Sequence, residues 1–273
     1  MIRRVIAGTK RALGLHRPGR NLLVFPDDTF LVSYPKSGNT WTRFLIANLV
    51  YPEKHPDFSN INELIPDPEA LSKRHLGQLP RPRILKSHQY FDPRYERVIC
   101  IVRDPRDVVL SEYHFQIKRR VLAEDFPISD FVTRFLGNRL GHPYGNWFEN
   151  VGSWFFTRRN HPGFLLVRYE ALQSQPLPEM ARIARFLGVS EDRQALSFAI
   201  EQSSADRMRE LEKKQAHLWS STKDTRLDKP FVREAKAGGW RTELPQDCVA
   251  RIEGAWGSLM VELGYVLNVP ALA

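Results

Sequence analysis

The apolar run Phe30-Leu31-Val32-Ser33 leads through Tyr34-Pro35-Lys36-Ser37-Gly38-Asn39-Thr40-Trp41 into the apolar segment Arg43-Phe44-Leu45-Ile46-Ala47-Asn48-Leu49-Val50. This stretch constrains the fold more than any other. A strand feeds a short loop, and the loop opens a helix. The first amides of a helix have no internal partner, and the positive end of the helix dipole lies with them. Such a junction accepts an anion. The loop adds a lysine, two hydroxyl residues, a glycine that lets backbone approach an anion, and a tryptophan suited to stacking on a base. It is not a Walker A loop, G-x-x-x-x-G-K-[ST], because Lys36 precedes the only glycine. An ordinary ATPase or GTPase is therefore disfavoured.

A second junction of the same kind follows. Arg97-Val98-Ile99-Cys100-Ile101-Val102 is a β-branched apolar run that suits a strand buried on both faces of a parallel sheet. It ends in Arg103-Asp104-Pro105-Arg106-Asp107, where Asp104 is a fitting N-cap and Pro105 a fitting first helical residue. Arg103 falls at the carboxyl end of a strand, where open α/β sheets place ligands. Ser111 lies two turns into the helix. A third segment, Arg83-Ile84-Leu85-Lys86-Ser87-His88, reads as a short strand ending in a lysine and a histidine. Histidine titrates near neutrality and suits general-base work. Of the other histidines, His114 alone is a rival, because it follows the face of the second junction's helix.

The remaining pattern alternates between β and α. Strands are expected at 29–34, 83–87, 97–102 and 163–168. Helices are expected at 39–50, 105–120, 127–137, 145–159, 176–188, 191–201, 203–214 and 245–264. Strands separated by helices imply a parallel sheet covered on both faces. Residues 52–82 carry six prolines and read as a long, partly irregular insertion. Residues 215–236 read as a surface loop that orders when nucleotide binds.

Chain length and chemistry bound the function. The 273 residues fit one α/β domain over 21–273 behind a basic leader over 1–20. The two cysteines, Cys100 and Cys248, form neither a disulfide framework nor a metal-ligand spacing, and they suit a reducing, cytoplasmic compartment. No apolar run approaches the ~20 residues that cross a bilayer. The net charge of +9 suits a multiply anionic nucleotide, and no nucleic-acid-binding motif accompanies it. Within 1–15 there are four basic and no acidic residues. Two readings fit that stretch: an amphipathic helix making weak contact with an anionic membrane, or a plain basic leader.

The order P-K-S-G-x-T-W resembles the 5′-phosphosulfate loop of the sulfotransferases that use 3′-phosphoadenosine 5′-phosphosulfate (PAPS). Arg103 with Ser111 resembles that family's 3′-phosphate site, and Lys86-Ser87-His88 its K-[TS]-H segment. After the histidine the family usually continues Leu-Pro, whereas Gln89-Tyr90 follow here. Phe231-Val232-Arg233-Glu234-Ala235-Lys236-Ala237-Gly238-Gly239-Trp240 resembles the F-x-R-K-G-x-x-G-x-W loop, with Glu234 for the lysine and Ala235 for the glycine. Tyr169 lies where the family's F-Y-E-D tyrosine meets adenine, and Ser203 starts a match to T-S-F-x-x-M.

The resemblance implies an α/β, three-layer, P-loop-like fold with a central parallel sheet flanked by helices. It also implies sulfuryl transfer from PAPS to a hydroxyl of a phenol, alcohol or glycan, without a metal. His88 is then the base, Lys36 stabilises the bridging oxygen, and Lys86 neutralises the sulfuryl oxygens. Lys36, Ser37, Gly38, Asn39, Thr40, Trp41, Arg103, Ser111, Tyr169, Ser203, Arg233, Lys236 and Gly238 form the nucleotide site. Ser111 is implied to hold Lys36 back until acceptor binds. Two alternatives stay open: a variant P-loop kinase or NTPase, and a non-catalytic nucleotide-binding relative. Tyr90, Phe91, Tyr113, Phe115, Trp147 and Phe148 either line an aromatic acceptor pocket or belong to the core. The family's dimer motif, K-x-x-x-T-V-x-x-x-E, is absent after Trp240, so its dimer is not carried over.

Overall fold

Four strands, β1 (Thr29–Ser33), β2 (Ile84–Ser87), β3 (Arg97–Val102) and β4 (Phe164–Arg168), form one parallel sheet in the order β2-β1-β3-β4. Thr29 pairs with both Ile84 and Arg97, and Val98 pairs with Phe164. The computed structural model describes residues 22–69, 71–140, 143–219 and 221–268. The basic leader at 1–20 lies outside them.

The helices, in chain order, are α1 (Asn39–Val50), α2 (Ile61–Leu64), α3 (Lys73–Gln78), α4 (Pro105–Lys118), α5 (Ile128–Leu136) and α6 (Trp147–Arg158). They continue with α7 (Tyr169–Ser174), α8 (Pro176–Leu187), α9 (Arg193–Gln202), α10 (Ala205–Gln215), α11 (Trp240–Glu243) and α12 (Gln246–Glu262). A 3₁₀ turn at Pro52–Lys54 follows α1.

Side chains alternate across a strand, and here the alternation sorts the core into two layers. Phe30, Val32, Leu85, Val98, Cys100 and Val102 face α4, α5, α6 and α12. Leu31, Ile84, Ile99, Ile101 and Val167 face α1, α7, α8 and α9. Every residue of β1 is buried, as the unbroken apolar run requires. The four expected strands and eight expected helices are all present. The elements that sequence reading missed are α2, α3, α7, α11 and the 3₁₀ turn. Each spans one or two turns, too short to display a helical period.

The start of α4 is pinned where the site needs it. The Asp104 side chain accepts a hydrogen bond from the Arg106 amide at 2.9 Å, and Pro105 follows the cap. The Arg106 guanidinium is buried between Asp104 and Glu253, at 2.6 Å from each. Removing it leaves two carboxylates without their cation, a change that costs about 3–5 kcal/mol for buried pairs. The junction that presents Arg103 is therefore fixed from behind.

Candidate active site

The loops that leave β1, β2, β3 and β4 meet at the carboxyl edge of the sheet and enclose a cleft of about 520 Å³. That is the size and place expected of a nucleotide site in an open α/β sheet. Lys36, Gly38, Asn39, Thr40, Trp41, Lys86, His88, Arg103, Ser111, Tyr169, Ser203, Arg233 and Lys236 all line it.

The loop after β1 is built around an unprotected helix start. Gly38 caps α1 without any side-chain hydrogen bond, and no acidic residue occupies the first turn. The helix dipole there is uncompensated, which favours an anion. Gly38 has φ +91°, and a Cβ on it would sit 2.5 Å from Cδ2 of Tyr169. Only glycine meets both demands. Lys36 also has a left-handed backbone, with φ +66°. A residue with a Cβ resists that conformation by roughly 1–2 kcal/mol, so the turn depends on its surroundings. Arg103 Nη1 donates to the Lys36 carbonyl at 3.2 Å and holds it.

The loop residues divide by task. Asn39 Nδ2 donates to the Leu31 carbonyl at 3.2 Å and to Ser33 Oγ at 3.1 Å, so this side chain ties the loop to β1. Ser37 Oγ is buried and has no partner among the described residues, and Arg103 Nε shares that condition. Buried polar atoms are usually satisfied. The Arg103 orphan, in the cleft with a helix start free of acid, fits an oxyanion-bearing ligand. Ser37 itself does not line the cleft. Trp41 Nε1 donates to the Ser203 carbonyl at 2.9 Å, and the Trp41 ring meets Tyr169 edge-on at 5.6 Å. Ser203 Oγ accepts from Asn48 at 3.2 Å.

Lys36 Nζ lies 3.8 Å above the Phe115 ring and 4.7 Å from that of Phe231. Burial lowers its pKa to about 8, with Arg103 and Lys118 pushing the same way and Glu112 and Glu212 opposing. Glu112 is a buried carboxylate lining this cleft, with Gln116 donating to it.

The segment 226–240 closes the far side. Glu212 accepts the amides of Phe231 and Val232 at 2.6 and 3.1 Å, and Arg209 donates to the carbonyls of Val232 and Arg233. Lys118 Nζ donates to the Arg226 carbonyl at 3.0 Å. Asp107 accepts the amides of Gly238 at 2.6 Å and Trp240 at 3.1 Å. Gly238 has φ +83° and Ala235 φ +54°. Ala235 thus takes a glycine-like conformation at the position where the family motif carries glycine. Arg103 Nη2 donates to the Lys236 carbonyl at 3.1 Å, while the Lys236 residue is exposed. Arg233 Nη1 contacts both oxygens of Glu243, at 3.0 and 2.8 Å, and Glu234 at 3.1 Å. His114 Nε2 donates to the same Glu243, 3.1 Å away. His114 therefore belongs to this carboxylate cluster.

At the opposite end, His88 Nδ1 lies 2.6 Å from the Ser33 carbonyl. A carbonyl only accepts, so Nδ1 carries the proton and Nε2 holds a free lone pair. Burial lowers the His88 pKa to about 3, the Lys86 ammonium adds to that, and the Ser33 carbonyl and Asp67 oppose it. The ring is neutral at physiological pH. Lys86 Nζ lies 2.5 Å from Asp67 Oδ2. Tyr144 sits 5.5 Å from His88, ring to ring, and Asn150 donates to the His88 carbonyl at 3.0 Å.

Sequence reading missed Asp67, Asp107, Glu112, Asn150 and Glu243. Asp107 alone had a local signal, one residue beyond Arg106 in the second junction. Of the six aromatic residues considered for an acceptor pocket, Phe115 lines the cleft, beside Lys36. Trp147 is in the core, and Phe91 packs on Trp154. The cleft around His88 is instead lined by Arg43, Asn62, Asp67, Lys86 and Tyr144.

Comparison with known proteins agrees with this architecture. The family described as Sulfotransferase domain matches residues 26–264. Sulfotransferase 1B1 of Mus musculus is 29% identical over 233 residues, covering 79% of this chain and 77% of the relative. Sulfotransferase 1A1 of Rattus norvegicus is 25% identical over 267 residues, covering 91% and 89%. The crystal structure of a mouse sulfotransferase complexed with PAP superposes with TM-score 0.71 at 21% identity, covering 93% of this chain and 88% of that one. Retinol dehydratase in a complex with retinol and PAP gives TM-score 0.69 at 22% identity, covering 92% and 85%. A match over nearly the whole sheet-and-helix frame settles the family: the chain belongs to the sulfotransferase domain family and is a sulfotransferase of the three-layer, P-loop-like kind.

Proposed function

We propose that this protein transfers the sulfuryl group of PAPS to a hydroxyl of a small acceptor, a phenol, alcohol or glycan. The observation that carries the reading is His88, whose Nδ1 is held by the Ser33 carbonyl so that Nε2 is left to act as acceptor, in one cleft with the Lys36 loop. The amides at the start of α1, with Thr40, hold the 5′-phosphate. Arg103 and Ser111 hold the 3′-phosphate, joined by Arg233 and the backbone at Gly238. Arginine suits that role because its planar fork grips phosphate oxygens bidentately. Trp41 and Tyr169 enclose the adenine, with Ser203 behind them and Lys236 at the rim.

PAPS supplies the sulfuryl group: its S–O bond to the 5′-phosphate breaks, and that electron pair stays on the phosphate oxygen. His88 Nε2 takes the acceptor's hydroxyl proton as the acceptor oxygen bonds to sulfur. Lys36 offsets charge on the departing oxygen, and Lys86 offsets charge on the sulfuryl oxygens. Ser111, near Lys36, restrains the ammonium until acceptor is present. General-base help of this kind is typically worth about 10²–10⁴-fold.

The test begins with calorimetric titration using 3′-phosphoadenosine 5′-phosphate (PAP), with ADP and AMP as controls. Tight binding that depends on the 3′-phosphate is expected, and equal binding of PAP and ADP overturns the nucleotide assignment. His88→Ala is expected to abolish PAP release from PAPS while PAP affinity stays within about twofold. Unchanged turnover removes His88 as the base.

A further inference from the structure

We infer that Asp67 is a positioning residue for sulfuryl transfer: its carboxylate fixes the Lys86 ammonium and balances the second cation that forms when His88 takes the acceptor proton. The inference rests on the sulfuryl-transfer reading above. Nothing in the motifs points to Asp67, which lies in the proline-rich insertion 52–82.

The placement of Asp67 is built rather than incidental. β2 is an edge strand, and the Pro66 carbonyl accepts the Lys86 amide at 2.8 Å, so the insertion is tied to that edge at Lys86. This puts Asp67 beside Lys86, with Oδ2 2.5 Å from Nζ and both side chains 18% exposed. Ile65, just before, is wholly buried. The segment is clamped from below by Arg43 of α1, itself only 2% exposed. Arg43 Nη2 donates to Asn62 Oδ1 at 2.8 Å, to the Ile61 carbonyl at 3.2 Å, and to the Ile65 carbonyl. The helix that opens at the phosphate loop therefore also seats the carboxylate at the acceptor end.

The electrostatic need follows from the reaction. Lys86, in β2, and His88, just past its end, both line the same cleft. Before reaction the site holds Lys86 as a cation and His88 neutral. The proton that leaves the acceptor hydroxyl goes to His88 Nε2 and makes an imidazolium beside that ammonium, with Arg43 close behind. Like charges at this range in a poorly hydrated cleft oppose each other strongly. The Asp67 carboxylate, which neither gains nor loses a proton, offsets them. Burial works to raise the Asp67 pKa, yet the Lys86 ammonium and the Arg43 guanidinium hold it below the usual carboxylate value, so it is ionised at neutral pH.

Asp67→Asn and Asp67→Glu test this with two readouts: the Kd of PAP by calorimetry, and PAP release at saturating PAPS. Acceptors are water alone, then added glycerol or 2-naphthol. Asp67→Asn is expected to keep the PAP Kd within about twofold and to lose about 10–100-fold in PAP release. Asp67→Glu is expected to recover most of that loss, because it restores the charge. Asp67→Asn turnover equal to wild type overturns the inference. So does a loss of PAP affinity as large as the loss of turnover, since that marks a fold defect. Wild-type protein that fails to bind PAP sinks the nucleotide reading itself. Wild type that binds PAP yet releases none from PAPS leaves that reading standing and removes the step assigned to Asp67.

Discussion

Raising the pH through 8 should weaken PAP binding through one side chain, Lys36. Burial under Phe115 and Phe231 lowers its pKa from 10.5 to about 8 in the ligand-free protein. An anion seated at the start of α1 restores the preference for the ammonium, so the complex keeps the proton that the free protein loses. The sign follows: affinity is full below pH 8 and falls above it, because binding must then take up a proton. With one site at about 8 and a complex that stays protonated, the apparent affinity drops about tenfold between pH 7 and pH 9, or about 1.4 kcal/mol. The phosphate groups do not contribute, since their second ionisations lie near 6. The assay is calorimetric titration with PAP at pH 7, 8 and 9 in buffers of different ionisation heat, which counts protons directly. Uptake approaching one proton is expected at pH 9 and a small fraction at pH 7. Lys36→Met should bind more weakly at pH 7 and lose the pH slope. A flat wild-type profile without proton uptake refutes the reasoning, as does a slope that survives in Lys36→Met.

Two further perturbations probe the cleft's construction. Gly38→Ala forces a Cβ to within 2.5 Å of the Tyr169 ring at φ +91°. Left-handed strain of about 1–2 kcal/mol and overpacking of about 1–3 kcal/mol should lower unfolding free energy by about 2–5 kcal/mol in urea melts; an unchanged midpoint rejects the packing argument. Glu243→Gln removes the carboxylate that occupies Arg233 at 2.8 Å, in a pair whose side chains are 32% and 28% exposed. Such partly hydrated pairs contribute up to about 1 kcal/mol, so PAP affinity should rise by about two- to fivefold, and weaker binding contradicts competition for Arg233.

Legibility in the sequence follows the range of the interaction. The strands announced themselves because β1 and β3 are buried on both faces and must read as unbroken apolar runs. The α4 start was legible because its cap is local: Asp104, Pro105 and Arg106 are neighbours. The long helices showed a full period, while α2, α3, α7 and α11 did not. The missed site residues act at a distance in sequence. Asp107 reaches Gly238 and Trp240, and Asn150 reaches His88. Asp67 reaches Lys86 only because the edge of β2 captures the insertion. The loop motif likewise cannot tell that Asn39 faces the strand while the backbone around it faces the cleft.

One side chain couples the phosphate loop to the closing segment, and this bears on how the proposed doubly phosphorylated nucleotide is captured. Arg103 donates at once to the Lys36 carbonyl and to the Lys236 carbonyl, bridging the phosphate loop and the closing segment. Its ring contact with Tyr169, 4.4 Å from the centroid, spends the face of the guanidinium on the same side chain that packs on Gly38. Both bonds go to carbonyls, which carry no net charge, so the cation of Arg103 is not neutralised by them. Arg233 is in the opposite state: Glu243 and Glu234 already neutralise it. On the assignment proposed above, an incoming 3′-phosphate meets one arginine held by carbonyls and one that must first leave a carboxylate. Positioning by Arg103 should come first and capture by Arg233 second. The strained Lys36 backbone and the glycine-like Ala235, one on each loop, sit next to the two carbonyls that Arg103 holds or are those carbonyls' own residues, so the first contact acts on the segments that the second must close.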